Sequence, residues 1–230
     1  MISTPRKISS ISIIIPTRNE EANMPPLAAN LADVDCEVIV VDGGSSDRTV
    51  ELADFYNFKV LKTEPGRASQ LNRGAAEAGG NILLFLHADT RLPQNFEVAV
   101  RQAVSDPTCS AGAFRLAVEN ATPGLRFIAA CANARSLLFR LPYGDQAIFV
   151  SRENFFRLNM FPELPIMEDY VFIKNARKLG KIVILNEYAV TSARRWRRLG
   201  IARTTLINQL VIAGFYLGIS PQRLALLYNR

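Results

Sequence analysis

ISIIIPTRNEE, residues Ile11–Glu21, and EVIVVDGGSSD, residues Glu37–Asp47, decide the fold. Ile11–Ile15 is a β-branched run closed by Pro16, which reads as a buried strand followed by a loop. Glu37–Val41 repeats the pattern, and Asp42-Gly43-Gly44-Ser45-Ser46 reads as a turn. Between the two runs, Glu20–Leu31 has helical character. Asp47 is placed to cap a further helix reaching about Tyr56. The alternation continues with a strand at Phe58–Leu61, a loop opened by Gly66 and a helix following it to Ala78 that Gly79-Gly80 stops, a strand at Asn81–Leu86 and a helix at Asn95–Val104. Strands alternating with helices imply βαβ units and an α/β fold with a mostly parallel sheet covered on both sides. Ligands of such sheets bind beyond the carboxyl ends of the strands. Here those ends carry Thr17, Arg18, Asn19 and Glu20 after the first strand, Asp42 after the second, and His87 and Asp89 after the fourth.

The second half is less regular. Strands are expected at Ala111–Val118, Ala147–Val150 and Lys181–Leu185, and helices at Leu125–Phe139, Glu153–Leu158 and Asp169–Leu179. No repeat or linker interrupts the chain. One domain over residues 1–230 is the simplest account, with a donor half at about 10–105, an acceptor half at about 106–198 and a helical segment at about 199–230.

Apolar residues make up 49% of the 230 and charged residues 21%, the balance of a folded chain with an ordinary core. The net charge of +6 favours anionic partners, and Arg194, Arg195, Arg197, Arg198 and Arg203 lie close together with no acid among them. Cys36, Cys109 and Cys131 are odd in number and far apart, which speaks against a disulfide framework or a zinc site and for a reducing compartment. Met1–Ser10 is polar and lacks the apolar core of a signal peptide. Asn120-Ala-Thr122 matches a glycosylation acceptor pattern by chance in that setting. Leu206–Ile219 is the most apolar stretch, yet it contains Asn208 and Gln209 and is too short for a span. It reads as a buried helix or as one lying on a membrane surface beside the arginines. The expected location is cytoplasmic, with contact at the inner face of the cell membrane.

Several groups could carry chemistry. Asp42, followed by two glycines, suits ribose hydroxyls or a base N–H, and equally suits a turn that caps its own loop. Asp89, with His87 and Ala88 before it, stands where a carboxylate can hold a divalent ion against phosphates. His87 is the only histidine, and a lone histidine is more often structural than a ligand. Glu168 and Asp169 precede a helix, where acids simply complement the helix dipole; the same dipole favours the ionised form and would leave Asp169 ready to accept a proton, and composition does not decide between the two. Gly66-Arg67-Ala-Ser-Gln70-Leu-Asn72 places a glycine, an arginine and two amides at a loop–helix junction, which suits an anion or a sugar or simply starts a surface helix. Ser192-Ala-Arg194-Arg195-Trp196 fits a diphosphate with stacking. The chain has no other interleaved basic and aromatic motif, so nucleic acid is not expected as a partner. Neither GxGxxG nor GxxxxGK[ST] is present, which disfavours dinucleotide-binding and P-loop proteins.

The order and spacing of these segments resemble the family 2 glycosyltransferases of the GT-A fold, from Ile11 to about Arg198. IIIPTRNEE at Ile13–Glu21 looks like that family's opening motif and VVDGGSSDRT at Val40–Thr49 like its nucleotide-binding aspartate segment. LHADT at Leu86–Thr90 sits where the family has its metal-binding DxD, and MEDY at Met167–Tyr170 looks like its ED motif. The resemblance implies a nucleotide-sugar donor, with Pro16, Thr17, Glu20 and Asp42 around its base and ribose. It implies Mn²⁺ or Mg²⁺ at Asp89, with Arg67, Arg194 and Arg195 on the diphosphate. Asp169 would deprotonate the acceptor hydroxyl, with inversion at the anomeric carbon. UDP is the expected nucleotide, and a lipid or small molecule the expected acceptor. His87 replaces the first acid of DxD, and no histidine follows it in the chain. GRASQLNRGA, HADT, GDQAIFV and SARRW together resemble a bacterial subgroup associated with arsenosugar-pathway or carotenoid glycosylation. Gly144-Asp145-Gln146 then falls on the acceptor side, with Asp145 as second choice of base. The rival readings are a nucleotidyltransferase, whose glycine-rich loop is missing after the first strand, and a non-catalytic nucleotide-sugar or lipid-binding module.

Overall fold

Residue alternation along the central strands explains why this chain builds a sheet with two covered faces. In a computed structural model, which describes residues 10–228, Ile11, Ser12, Ile13, Ile14 and Ile15 of the first strand, β1 (Ile11–Thr17), are all buried. Ile11, Ile13 and Ile15 enter one hydrophobic cluster and Ile14 the other. β4 (Ile82–Phe85) splits the same way, Ile82 and Leu84 against Leu83 and Phe85. A strand buried on both faces has no polar side to show.

The remaining strands are β2 (Glu37–Asp42), β3 (Lys59–Lys62), β5 (Thr90–Arg91), β6 (Cys109–Val118), β7 (Ile148–Ser151) and β8 (Lys181–Thr191). They form one sheet in the order β3-β2-β1-β4-β7-β6-β8-β5. Pairings are parallel from β3 through β4 and between β6 and β8, whereas β7 runs against β4 and β6, and β5 against β8. One face is covered by α1 (Met24–Asn30), α2 (Thr49–Phe55) and α4 (Phe96–Ser105). The other is covered by α3 (Arg67–Glu77), α6 (Arg152–Arg157) and α7 (Glu168–Leu179). A Cβ on Gly74 of α3 would stand 2.9 Å from Val41 Cγ2 and overlap Ile14, so this glycine lets the helix lie close on the sheet.

α5 (Pro123–Phe139) packs on β6. Its cap is local: Thr122 accepts a hydrogen bond from the Leu125 amide, and Pro123 starts the helix where no N–H is needed. At the far end, α8 (Arg194–Leu199), α9 (Ile201–Tyr216) and α10 (Pro221–Tyr228) follow, and α9 with α10 seals a third cluster against Ile166, Met167 and Tyr170.

The structure corrects several boundaries. Glu20–Leu31 is not one helix: a 3-10 turn at Glu21–Asn23 precedes α1, because Pro25 and Pro26 fit only a helix's first turn. β8 runs six residues past Leu185: the polar pair Asn186-Glu187 lies at a register shift, and pairing with β6 resumes over Tyr188–Thr191. β5, α8 and α10 lacked a readable periodic signal. The apolar C-terminal helix begins at Ile201 rather than Leu206. The reading of Met1–Ser10 falls, apart from Ser10, outside the described residues. No helix among the described residues is long and apolar enough to cross a membrane.

Candidate active site

Three clusters of polar side chains gather beyond the carboxyl ends of β1, β2 and β4. The first is built by the turn after β2. Asp42, 3% exposed, accepts hydrogen bonds from the amides of Gly44 (3.0 Å) and Ser45 (2.9 Å) and from the Ser45 hydroxyl. Most of its carboxylate capacity is thus spent on its own loop, as the plainer reading of a turn aspartate holds. Pro16 and Thr17 lie beside Val41 and Asp42 in register. Gln70 Nε2 reaches across from α3 and donates to the carbonyls of Thr17 (2.9 Å) and Val41 (2.7 Å). Asn72 likewise exchanges two hydrogen bonds with the Phe161 backbone, at 2.8 and 3.0 Å. The two amides expected to meet an anion or a sugar therefore tie elements together.

The second cluster joins β1, β4 and α8. Arg194 donates to both carboxylate oxygens of Glu20, at 3.0 and 2.8 Å, and the same Nη2 lies 3.9 Å from Asp89 Oδ2. The Ser192 amide donates to the Asp89 carbonyl at 3.0 Å, so the arginine-bearing turn is fastened to the end of β4. Burial pushes the Asp89 carboxyl up, with Arg194 pulling against it and Glu20 adding to it. Arg195, expected on the diphosphate, instead lies over the Tyr228 ring at 3.5 Å and donates to the Tyr228 carbonyl at 3.0 Å. It fastens α8 to α10, because successive residues of a helix start point in different directions.

The third cluster is the densest. Arg67, at the start of α3, forms an ion pair with buried Glu168 and sits 4.0 Å from Asp169 Oδ2. Asp169 Oδ2 accepts the Gly144 amide at 2.6 Å, and its Oδ1 accepts the Tyr170 amide at 2.7 Å. His87 belongs to this group: burial, with Arg67 adding, pushes its imidazolium down to about 4, while Asp169 opposes. The ring is neutral at physiological pH. Ala88 is buried beneath the turn between His87 and Asp89. Burial pushes Glu168 up, and the Arg67 guanidinium pulls against it. Burial also raises Asp145 to about 6, opposed by Arg135 and reinforced by Asp169. Asp145 Oδ1 is buried without a hydrogen-bond partner.

The sequence reading missed the groups that hold this cluster. The Gly144 amide is one. Arg135 is another: it lies 3.5 Å over the Tyr143 ring and donates to Leu141 O (3.0 Å) and Gln146 Oε1 (3.2 Å). An arginine in the middle of the mostly apolar second half of α5 was the available signal. Tyr170 and Tyr216, whose hydroxyls touch, join α7 to α9.

Among the described residues, no group of three histidine, cysteine or acidic side chains could hold a metal ion. Glu20 and Asp89 nevertheless face one guanidinium nitrogen from two sides. Two hard oxygen donors flanking a cation suit Mn²⁺ or Mg²⁺ once a diphosphate supplies the remaining oxygens.

The profile of glycosyl transferase family 2 matches residues 12–151, more than half of the chain. A dolichol-phosphate mannosyltransferase of Pyrococcus furiosus is 37% identical over 93 residues, 36% of this chain and 26% of that one. A 4,4'-diaponeurosporenoate glycosyltransferase of Staphylococcus haemolyticus is 38% identical over 93 residues, 36% of this chain and 25% of that one. The matched stretch thus spans about a quarter of these relatives' length. The mannosyltransferase PcManGT of Pyrobaculum calidifontis, solved with GDP-Man and Mn²⁺, superposes with a TM-score of 0.65 at 21% identity, over 98% of this chain and 69% of that one. S. aureus TarS 1-349 with UDP-GlcNAc gives 0.64 at 22% identity, over 80% and 58%. These structures share the GT-A fold. With the family match running from β1 through β7, the chain belongs to glycosyl transferase family 2.

Proposed function

We propose that the protein transfers a sugar from a nucleotide diphosphate sugar, UDP being the nucleotide, to an acceptor hydroxyl with inversion. The observation that carries this reading is Asp169: an acid at a helix N-terminus, held by the Gly144 amide, within reach of Arg67 and beside His87. In the reaction the acceptor oxygen forms a bond to the anomeric carbon as the bond from that carbon to the diphosphate breaks. The hydroxyl proton passes to Asp169, and the electron pair leaves on the diphosphate. Arg67 and Arg194 would offset that charge in this reading. Asp145, whose Oδ1 has no partner and whose carboxyl burial raises to about 6, is the second choice of base.

Pro16, Thr17, Glu20 and Asp42 shape the donor pocket in this reading, largely through backbone and turn geometry. Glu20 and Asp89 would hold a divalent cation, which would neutralise charge on the leaving diphosphate. Arg194 would then turn from the two carboxylates to the phosphates. One domain, with donor and acceptor halves on a single sheet, accommodates this division. The three cysteines are free, in accord with a cytoplasmic site of action on a lipid or small-molecule acceptor.

The test is thermal unfolding with UDP, GDP, CMP and ATP, each with and without Mn²⁺, followed by a donor-hydrolysis assay. A ligand at 100 times its dissociation constant stabilises the native state by about 2.7 kcal/mol. A shift with UDP that grows with Mn²⁺ supports the donor and the cation. No shift with any nucleotide would sink the transferase reading in favour of a binding module.

A further inference from the structure

The C-terminal helices carry an apolar surface that the transfer chemistry does not use. α9 buries Thr204, Ile207, Val211 and Gly214 on its inner side, and Ile207 and Val211 pack against Ile166, Met167 and Tyr170. Its outer side is not polar in return. Leu206 is 59% exposed, Leu210 47% and Leu217 82%. With exposed Ala213, these residues follow one another at helical spacing along a single stripe. Tyr216 lies at its edge, and exposed Ile219 and Leu226 continue the apolar surface into the α9–α10 corner and α10. A surface helix in water shows a polar outer face, so a helix apolar on both sides has a second apolar neighbour.

Charge identifies that neighbour. From Tyr188 to Arg230 the chain holds seven arginines and no acid, more positive charge than the net +6 of the whole. Arg197 and Arg198 are exposed just ahead of α9, and Arg223 is exposed on α10. Leucines bordered by arginines match a bilayer surface, with the leucines in the acyl boundary and the guanidinium groups at the phosphates. A second copy of this chain would bring the same arginines together at a two-fold contact and is disfavoured by their repulsion.

We propose that α9 and α10 form a docking surface for an anionic lipid bilayer, with the Leu206–Leu210–Leu217 stripe entering the headgroup boundary. The proposal is independent of the donor and of catalysis. Taken with the proposed function, it also orients the site: Tyr216, at the edge of the stripe, touches Tyr170, the residue after Asp169. Docking therefore brings the acceptor side of the site toward the lipid headgroups, where a lipid-borne hydroxyl would lie.

The test is co-sedimentation of the full chain with vesicles of phosphatidylcholine alone and of equal parts phosphatidylcholine and phosphatidylglycerol. The chain is expected on the anionic vesicles only. Leu206→Glu/Leu210→Glu should weaken that binding at least tenfold while leaving the unfolding temperature and any UDP-induced shift unchanged. Arg197→Glu/Arg198→Glu should weaken it similarly, and added salt should reduce wild-type binding. No binding to anionic vesicles at low salt overturns the proposal. So does binding that survives the double leucine variant, since the arginines alone would then explain it. A dimer that dissociates in the leucine variant, without vesicle binding, assigns the stripe to a second copy instead.

Discussion

The Gly144 amide donates to Asp169 Oδ2 at 2.6 Å, and a Cβ on Gly144 would stand 3.1 Å from that oxygen and 3.3 Å from His87 Nε2. One backbone group thus aims the Asp169 carboxylate, the base in the proposed function, and the absence of a side chain leaves room for it. Asp169→Asn should lower transfer by about 10²–10⁴-fold while UDP binding, read by calorimetry, stays at its wild-type value. Gly144→Ala should displace the carboxylate by a few tenths of an ångström and cost between about tenfold and a hundredfold in kcat. Near-normal turnover by Asp169→Asn would move the base assignment to Asp145.

His87 and Asp145 should tilt stability in opposite directions with pH. The histidine falls from 6.5 to about 4 on folding, so the unfolded chain binds the extra proton between these values and stability rises with pH there. The aspartate rises from 3.8 to about 6, so the folded chain binds the extra proton and stability falls over nearly the same range. The cost of His87→Asn should therefore grow from pH 4 to pH 6.5. Asp145→Asn should gain relative to wild type from pH 4 to pH 6, each by on the order of 1–3 kcal/mol. Urea unfolding across this window measures both, and parallel wild-type and variant curves would refute the burial of these groups.

Gln70→Ala should destabilise the fold rather than the donor complex. Its Nε2 serves two carbonyls, and removing it forfeits both hydrogen bonds although Thr17 O keeps the Gly43 amide and Val41 O the Thr17 hydroxyl, at about 1–3 kcal/mol in total. Asn72→Ala should cost about 1–3 kcal/mol for the same reason. If either variant unfolds like wild type but loses UDP, the residue contacts the donor directly.

Arg194→Ala should expose a cation site. Without the guanidinium, Glu20 and Asp89 face each other unneutralised, and Mn²⁺ affinity in the absence of nucleotide should rise at least tenfold, about 1.4 kcal/mol. Mn²⁺ binding followed by electron paramagnetic resonance reads this without any turnover. Asp89→Ala in the same background should reverse the gain. Unchanged Mn²⁺ affinity in Arg194→Ala would mean that these carboxylates are not a metal site.

The first hundred residues were legible because short βαβ units leave local marks. A β-branched run ends at a polar residue, and a helix of similar length follows. β1, β2 and β4 fall within a residue or two of their sequence readings. Asp42, Asp89 and Asp169 stand at element ends that could be found from pattern alone. β8 was read short because Asn186 and Glu187, which have no strand preference of their own, lie at an irregularity beyond which pairing with β6 resumes at Tyr188.

Sequence by itself determined the family, the sheet's two covered faces and the placing of acids and arginines at the ends of elements. Those properties follow from local periodicity and from the order of short motifs. Tertiary structure decided which of those residues meet. It set His87 beside Asp169 instead of leaving it paired with Asp89, and it sent Arg194 to Glu20 but its neighbour Arg195 to Tyr228. It also committed the amides of Gln70 and Asn72 to backbone. Side-chain direction at a helix start depends on how the helix is seated against segments far away in the chain, and no local pattern carries that information.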